Sequence, residues 1–303
     1  MTTGVPGPVP DAVLAEGAVR ATLLDERPGW RIETAQAIAE VSAYGGQVLA
    51  WRPSGQTEDV FWRTSQPRPA PAPLRGGVPV CWPWFGRRED VPDLPAHGVV
   101  RTQAWRLTDT WIDADGVVAM TLVPEGGSVD GLTLTQELRI GQTFEQTLVS
   151  HNVGDVPLLL TQALHSYFRV GDALGVEVDG LDGHDYLDKF EHYAALRRQR
   201  GPWSLYDLRD PGRSDRIYVE AEGRYVLRDP AFDRSLRLTS AGSRSLVVWN
   251  PGEAGGRAMD DVGDAWRAFV CLEVANAGTD RVTLAPGTSH RLSQRIEVVA
   301  GLP

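Results

Sequence analysis

Leu132-Thr-Leu-Thr-Gln-Glu-Leu-Arg-Ile140 nearly alternates between apolar and polar side chains. A period of two is the mark of a strand with one buried face, because successive side chains of an extended chain point to opposite sides. Ser235–Thr239 repeats the pattern. Val117–Val123, Phe144–Asn152, Pro157–Val170, Arg216–Ala221, Arg244–Asn250, Ala268–Ala275 and Arg291–Val299 also read as strands. Asp115-Gly116, Gly126-Gly127, Asp182-Gly183, Asp229-Pro230 and Asn250-Pro251-Gly252 punctuate them as turns. Many short strands separated by Gly/Pro turns predict an all-β protein, a large antiparallel sandwich or barrel. Short helical turns are expected only at Asp11–Val19 and Ala194–Arg200.

The chain has 303 residues. With no internal repeat and no mid-chain linker, 1–303 reads as a single β domain behind a poorly ordered N-terminal extension over 1–25. Gln66-Pro-Arg-Pro-Ala-Pro-Ala-Pro-Leu74 reads as an extended loop. The net charge of -10 argues against nucleic-acid or anionic-membrane partners. No apolar run is long enough to span a bilayer, and the first ten residues lack a signal-peptide core. Cys81 and Cys271 are expected to be free thiols in a reducing cytoplasm. Lys189 is the sole lysine, which argues against Schiff-base and pyridoxal chemistry.

Four clusters offer chemistry. Arg75-Gly-Gly-Val-Pro-Val-Cys-Trp-Pro-Trp-Phe-Gly86 combines glycines that allow close backbone approach with an aromatic wall suited to sugar C–H faces, or to a core corner. Pro95-Ala-His97-Gly-Val-Val-Arg101 would join Arg75 in a cationic pocket, since guanidinium forks match phosphate oxygens. Arg87 and Arg88, beside Glu89 and Asp90, read as a solvated charged loop. Gln162-Ala-Leu-His165-Ser-Tyr-Phe168 puts His165 on one face with Ala163 and Tyr167, either as a proton-exchanging group or as a hydrogen-bonded core histidine. In Phe269-Val-Cys-Leu-Glu273-Val-Ala-Asn276, Glu273 faces away from Val270, Leu272 and Val274, towards water or a polar cavity. An apolar setting there would raise its pKa towards that of a useful base.

In this order, these motifs, with Trp249-Asn-Pro251, resemble the hexose-6-phosphate mutarotases, also called glucose-6-phosphate 1-epimerases, a branch of the aldose 1-epimerase family. The resemblance spans roughly Val41 to Leu292. It implies a galactose-mutarotase-like β-sandwich with its cleft on one concave sheet. It further implies that His165 is the acid protonating the ring oxygen and Glu273 the base taking the anomeric proton. Arg75 and Arg101 would anchor the substrate through its phosphate, Asp215 would hold sugar hydroxyls, and His97 would stand near the sugar. Val99 and Ala96 depart from the family's usual residues around the His-Gly pair, which bears on sugar preference. Ring opening needs one acid and one base, so no metal, nucleotide or redox cofactor is expected. The substrate would be a small phosphosugar, and the protein a monomer or weak dimer.

Rival readings are an epimerase of unphosphorylated aldoses, a non-catalytic carbohydrate-binding sandwich, and a cupin-like metal enzyme drawing on His97, His165, His184 and His192. The last lacks a His-x-His arrangement with a nearby Glu. Glycoside cleavage is a weaker reading, because no carboxylate pair stands out among the 40 acidic residues.

Overall fold

The structure is a computed structural model that describes residues 17–88, 90–206 and 212–300. Two large sheets dominate it. One has eight strands in the spatial order Glu177–Asp179, Arg224–Asp229, Arg234–Ala241, Ser289–Ala300, Thr143–Asn152, Leu132–Ile140, Val118–Pro124 and Trp105–Ile112. The other has seven, in the order Leu196–Arg198, Asp185–Asp188, Ser214–Val219, Ser245–Asn250, Phe269–Asn276, Gln162–Arg169 and Val80–Cys81. Neighbouring strands in both sheets run antiparallel. The expected all-β sandwich is what the chain forms.

Leu132–Ile140 alternates buried and half-buried residues along its whole length, as its sequence period requires. Its buried side contributes Leu134 and Leu138 to the core, opposite Leu164, Phe168, Leu272 and Val274 of the seven-stranded sheet. Gln136 is also on that side, and it is fully buried. It is satisfied by a chain of side chains. Ser166 donates to Gln294 at 2.9 Å, Gln294 to Gln146 at 3.0 Å, Gln146 to Gln136 at 2.8 Å, and Gln136 to the Gly46 carbonyl at 2.7 Å. Buried amides without such partners would each cost about 1–3 kcal/mol. The chain also ties the two sheets together directly behind His165.

A four-stranded sheet of Val19–Leu24, Arg27–Glu33, Ala37–Ser42 and Val48–Pro53 covers one end, with Trp51 packed on Phe144 at 5.5 Å between ring centroids. The expected N-terminal extension over 1–25 therefore gives way to strand from Val19 onward, and residues 1–16 lie outside the described residues. So does most of the helical turn expected at Asp11–Val19. The other expected turn, Ala194–Arg200, is corrected. Leu196–Arg198 is an exposed edge strand paired with Asp185–Leu187. With no apolar stripe to bury, a helix there would gain nothing from packing. The edge strand gains ladder bonds, and Arg198 holds Asp185 at 2.8 Å.

Pro157–Val170 is not one strand. It breaks at Thr161, and Leu158–Leu160 pairs instead with Val282–Leu284. Gln66–Leu74 is a loop, held by Arg27 on the Arg68 carbonyl and by the Tyr44 hydroxyl on the Pro71 carbonyl.

Candidate active site

The seven-stranded sheet has one face on the core and one that carries chemistry. Register decides which side chains share the second face. His165 is the direct cross-strand partner of Glu273, Tyr167 of Cys271, Cys271 of Trp249, and Trp249 of Asp215. Side chains directly opposite on antiparallel strands stand about 4.5–5.5 Å apart at Cβ. The sequence spacing of 108 residues between the imidazole and the carboxylate thus closes to 3.4 Å, His165 Nε2 to Glu273 Oε1. Glu273 is 2% exposed and His165 9% exposed, so this pair forms a buried floor.

Both groups are held towards their neutral forms. Burial raises the Glu273 carboxyl well above the usual range, and Asp215 adds to this while Lys189 and Arg101 oppose it. Burial lowers the His165 imidazole well below its usual value, with His97, Arg101 and Arg75 acting in the same direction. The pair therefore holds a single proton. One site can give it while the other takes one, which is the requirement of bifunctional acid–base catalysis.

The surroundings are aromatic and cationic. Tyr167 stacks on the His165 ring at 4.8 Å with 7° between planes, and Trp249 meets it edge-on at 6.0 Å. Phe85 packs edge-on to His97 at 4.9 Å, and His97 lies 5.9 Å from His165. Arg75 donates to the Tyr167 hydroxyl at 3.3 Å, and its Nε lies 2.9 Å from a carboxylate oxygen of buried Asp261. Burial works against the Arg75 charge, but Tyr167 and Asp261 outweigh it and its pKa rises. The charge of Arg101 acts on His97, His165 and Glu273 alike. Asp215 is raised by burial and opposed by Lys189, whose Nζ is 2.9 Å away. The expected site residues Arg75, His97, Arg101, His165, Asp215 and Glu273 thus gather about this one face of the sheet. Arg88 is paired with Asp90 at 3.1 Å and leans on Trp84, as a surface charge would.

His97 depends on its loop. It sits at φ 65°, and its Nδ1 accepts the Gly86 N–H at 3.3 Å, leaving Nε2 to carry the ring proton. Burial and the cations Arg101, Lys189 and Arg75 push its pKa down to about 3. Gly98 follows at φ 75°, and a Cβ there would come within 1.8 Å of the Trp82 carbonyl oxygen. Only glycine lets this loop lie so close to the tryptophan segment.

Asp261 and Lys189 were not legible as site residues. Asp261 lies in Asp260-Asp-Val-Gly263, a stretch with no motif. In the sequence Lys189 stands out only as the sole amine nucleophile, and its pairing with Asp215 joins residues 26 apart.

The chain is thus an antiparallel β-sandwich with a buried histidine–carboxylate pair among aromatic and cationic side chains. A family profile described as Aldose 1-epimerase matches residues 30–297, and the chain belongs to that family. It is 33% identical over 281 residues to the Escherichia coli K12 protein named "Putative glucose-6-phosphate 1-epimerase", covering 91% of this chain and 92% of that one. A Cenchrus ciliaris protein of the same name is 29% identical, over 84% of this chain and 79% of that one. Among solved structures, the Salmonella typhimurium mutarotase homologue YeaD superposes with a TM-score of 0.84 at 30% identity, covering 95% and 96% of the two chains. A galactose mutarotase-like protein from Lactobacillus casei shares the fold, with a TM-score of 0.67 at 14% identity over 89% of this chain and all of that one. Among the described residues, no helix is long and apolar enough to cross a membrane.

Proposed function

We propose that this chain interconverts the α and β anomers of a phosphorylated aldohexose, with glucose 6-phosphate as the substrate. The observation that carries the reading is the pairing of His165 Nε2 with Glu273 Oε1 at 3.4 Å on a buried floor. Anomer exchange opens a cyclic hemiacetal, so the C1 hydroxyl loses a proton while the ring oxygen gains one. Glu273 takes the first and His165 supplies the second. A hydroxyl donating to Glu273 favours its carboxylate, and a ring oxygen accepting from His165 favours the imidazolium, so the bound sugar itself draws the proton from carboxyl to imidazole. Rotation about C1–C2 presents the other face of the aldehyde, and closure returns both protons by the reverse transfers.

Asp215 accepts sugar hydroxyls, and His97 donates from Nε2. Trp249 and Phe85 supply apolar faces for the ring. Arg75 and Arg101 bind the phosphate, whose charge offsets the cations around the pair. The relatives named for glucose 6-phosphate support the phosphosugar over a free aldose. No cofactor enters these steps. We read 1–303 as one domain, because the N-terminal sheet packs its Trp51 on the main sandwich. The two free buried thiols suit a reducing cytoplasm, and we read the protein as a monomer or weak dimer.

Exchange NMR on α and β glucose 6-phosphate tests the reading. Wild type should exceed spontaneous exchange, and Glu273→Gln and His165→Ala should each fall by about 10²–10⁴-fold towards it. Full activity in either variant removes that residue from the mechanism. Equal turnover of glucose and glucose 6-phosphate would instead favour a free-aldose epimerase, and no turnover of any sugar a binding module.

A further inference from the structure

Cys271 stands between Tyr167 and Trp249 on the same face as the pair, and ring opening leaves it unused. It precedes Glu273 by two residues on one strand, so both side chains leave the sheet on the same face. His165 faces Glu273 from the neighbouring strand. The Cys271 sulfur, a His165 ring nitrogen and a Glu273 oxygen all lie within 4.8 Å of one another, and all three residues are buried. Ligands to one tetrahedral zinc ion, with bonds of about 2.0–2.3 Å, sit roughly 3–4 Å apart. The His165–Glu273 separation of 3.4 Å already meets that spacing, and small side-chain rotations bring in the sulfur. Glu273 Oε2 and His165 Nδ1 are buried and have no hydrogen-bond partner, so each residue keeps a donor atom open to a metal besides those of the pair itself.

We propose that His165, Cys271 and Glu273 form a binding site for a thiophilic divalent cation of the zinc type, and that the bound cation blocks the enzyme. A sulfur, a nitrogen and an oxygen donor select zinc-like ions over magnesium or calcium. Binding releases two protons to solvent, one from the thiol and the one held by the His165–Glu273 pair, and leaves a sulfur–metal bond, a lone pair from the imidazole and one oxygen from the carboxylate on the cation. The charges permit it. Arg75 is engaged by Asp261 and Lys189 by Asp215, so the carboxylate and the new thiolate face the Arg101 charge with a surplus of negative charge. The metal occupies both proton-transfer groups, so it inhibits and competes with the sugar. The inhibition rests on the catalytic reading of His165 and Glu273, whereas the metal site itself does not.

Metal-free full-length protein titrated with Co²⁺ tests the site, followed by Zn²⁺ displacement and by exchange NMR at increasing Zn²⁺. One equivalent of Co²⁺ should give a near-ultraviolet thiolate-to-cobalt band that Zn²⁺ removes and glucose 6-phosphate weakens. The band should persist in Cys81→Ser and vanish in Cys271→Ser. Metal-free exchange in Cys271→Ser should match wild type, with the Zn²⁺ concentration for half inhibition raised about tenfold or more. The chain has only two cysteines, so should Cys271→Ser not fold, a band retained in Cys81→Ser assigns the sulfur to Cys271. No thiolate band in wild type, or a band unchanged in Cys271→Ser, overturns the proposal. An absent band with normal exchange removes the metal site and leaves the catalytic pair standing. A band on a chain that turns over no sugar does the reverse.

Discussion

Asp261, which is 5% exposed, holds the guanidinium of Arg75 at 2.9 Å from a loop far along the chain. The long arginine side chain would otherwise sample many rotamers. Anchoring its Nε fixes the direction in which the remaining N–H groups point. Replacing Asp261 with Asn keeps the volume and removes the charge. KM for glucose 6-phosphate should rise about tenfold, the equivalent of 1.4 kcal/mol, with kcat little changed. Turnover of unphosphorylated glucose should hardly move. A matched loss on both sugars would show that Asp261 supports the fold and not the anion site.

Lys189 acts at the other wall. Its ammonium opposes the burial that raises the Asp215 carboxyl. Lys189→Met therefore leaves Asp215 more often protonated near neutral pH and poorer as an acceptor of hydroxyls. KM should rise several-fold for phosphorylated and free sugars alike, and more so at lower pH. Steady-state kinetics on both sugars across pH checks this. An effect confined to the phosphorylated sugar would assign Lys189 to the phosphate instead.

The catalytic pair should titrate as one unit. Activity needs one proton on it. The second proton goes to His165, whose pKa lies well below the ordinary value of about 6.5. The last proton leaves Glu273, whose pKa lies well above the usual carboxyl value. The acid limb of the kcat/KM profile should thus lie below the ordinary histidine range, and its alkaline limb above the ordinary carboxyl range. An acid limb at about 6.5 would mean that the imidazole titrates as if exposed.

His97 predicts an acid-sensitive contribution to stability. In the unfolded chain it titrates at about 6.5, and in the fold at about 3. A depressed folded value means the contribution is complete above the unfolded pKa and is lost as pH falls through that interval. His97→Asn tolerates the positive φ and carries no titrating ring. Urea midpoints for this variant should fall less steeply than those of wild type between these two pH values.

The sequence and the structure part company in instructive places. Strands with one buried face were plain, because alternation reports a half-buried surface directly. The N-terminal strands were harder. Val19–Leu24 carries Arg20, Thr22 and Leu23 in partly or fully exposed positions, and Arg27–Glu33 contains Pro28 and Gly29, so neither repeats cleanly. Leu196–Arg198 has no buried residue to betray it, and only its partner strand defines it. In the site, His165 and Glu273 could be singled out as polar residues within apolar strands, yet their meeting depends on a register that residue types alone do not encode. Asp261 and Lys189 escaped because an ion pair between distant segments leaves no local pattern.

Because His165 and Glu273 hang from the two sides of one rung of an antiparallel ladder, their spacing is inherited from the sheet itself and from no hinge or lid. Slippage by a single rung would turn one of them into the greasy interior, so the pairing is guarded by the same force that keeps the protein folded. The loops bearing Arg75, His97, Arg101 and Asp261 carry no such burden. Descendants of this scaffold are free to retune what they hold there while the proton relay beneath stays as it is.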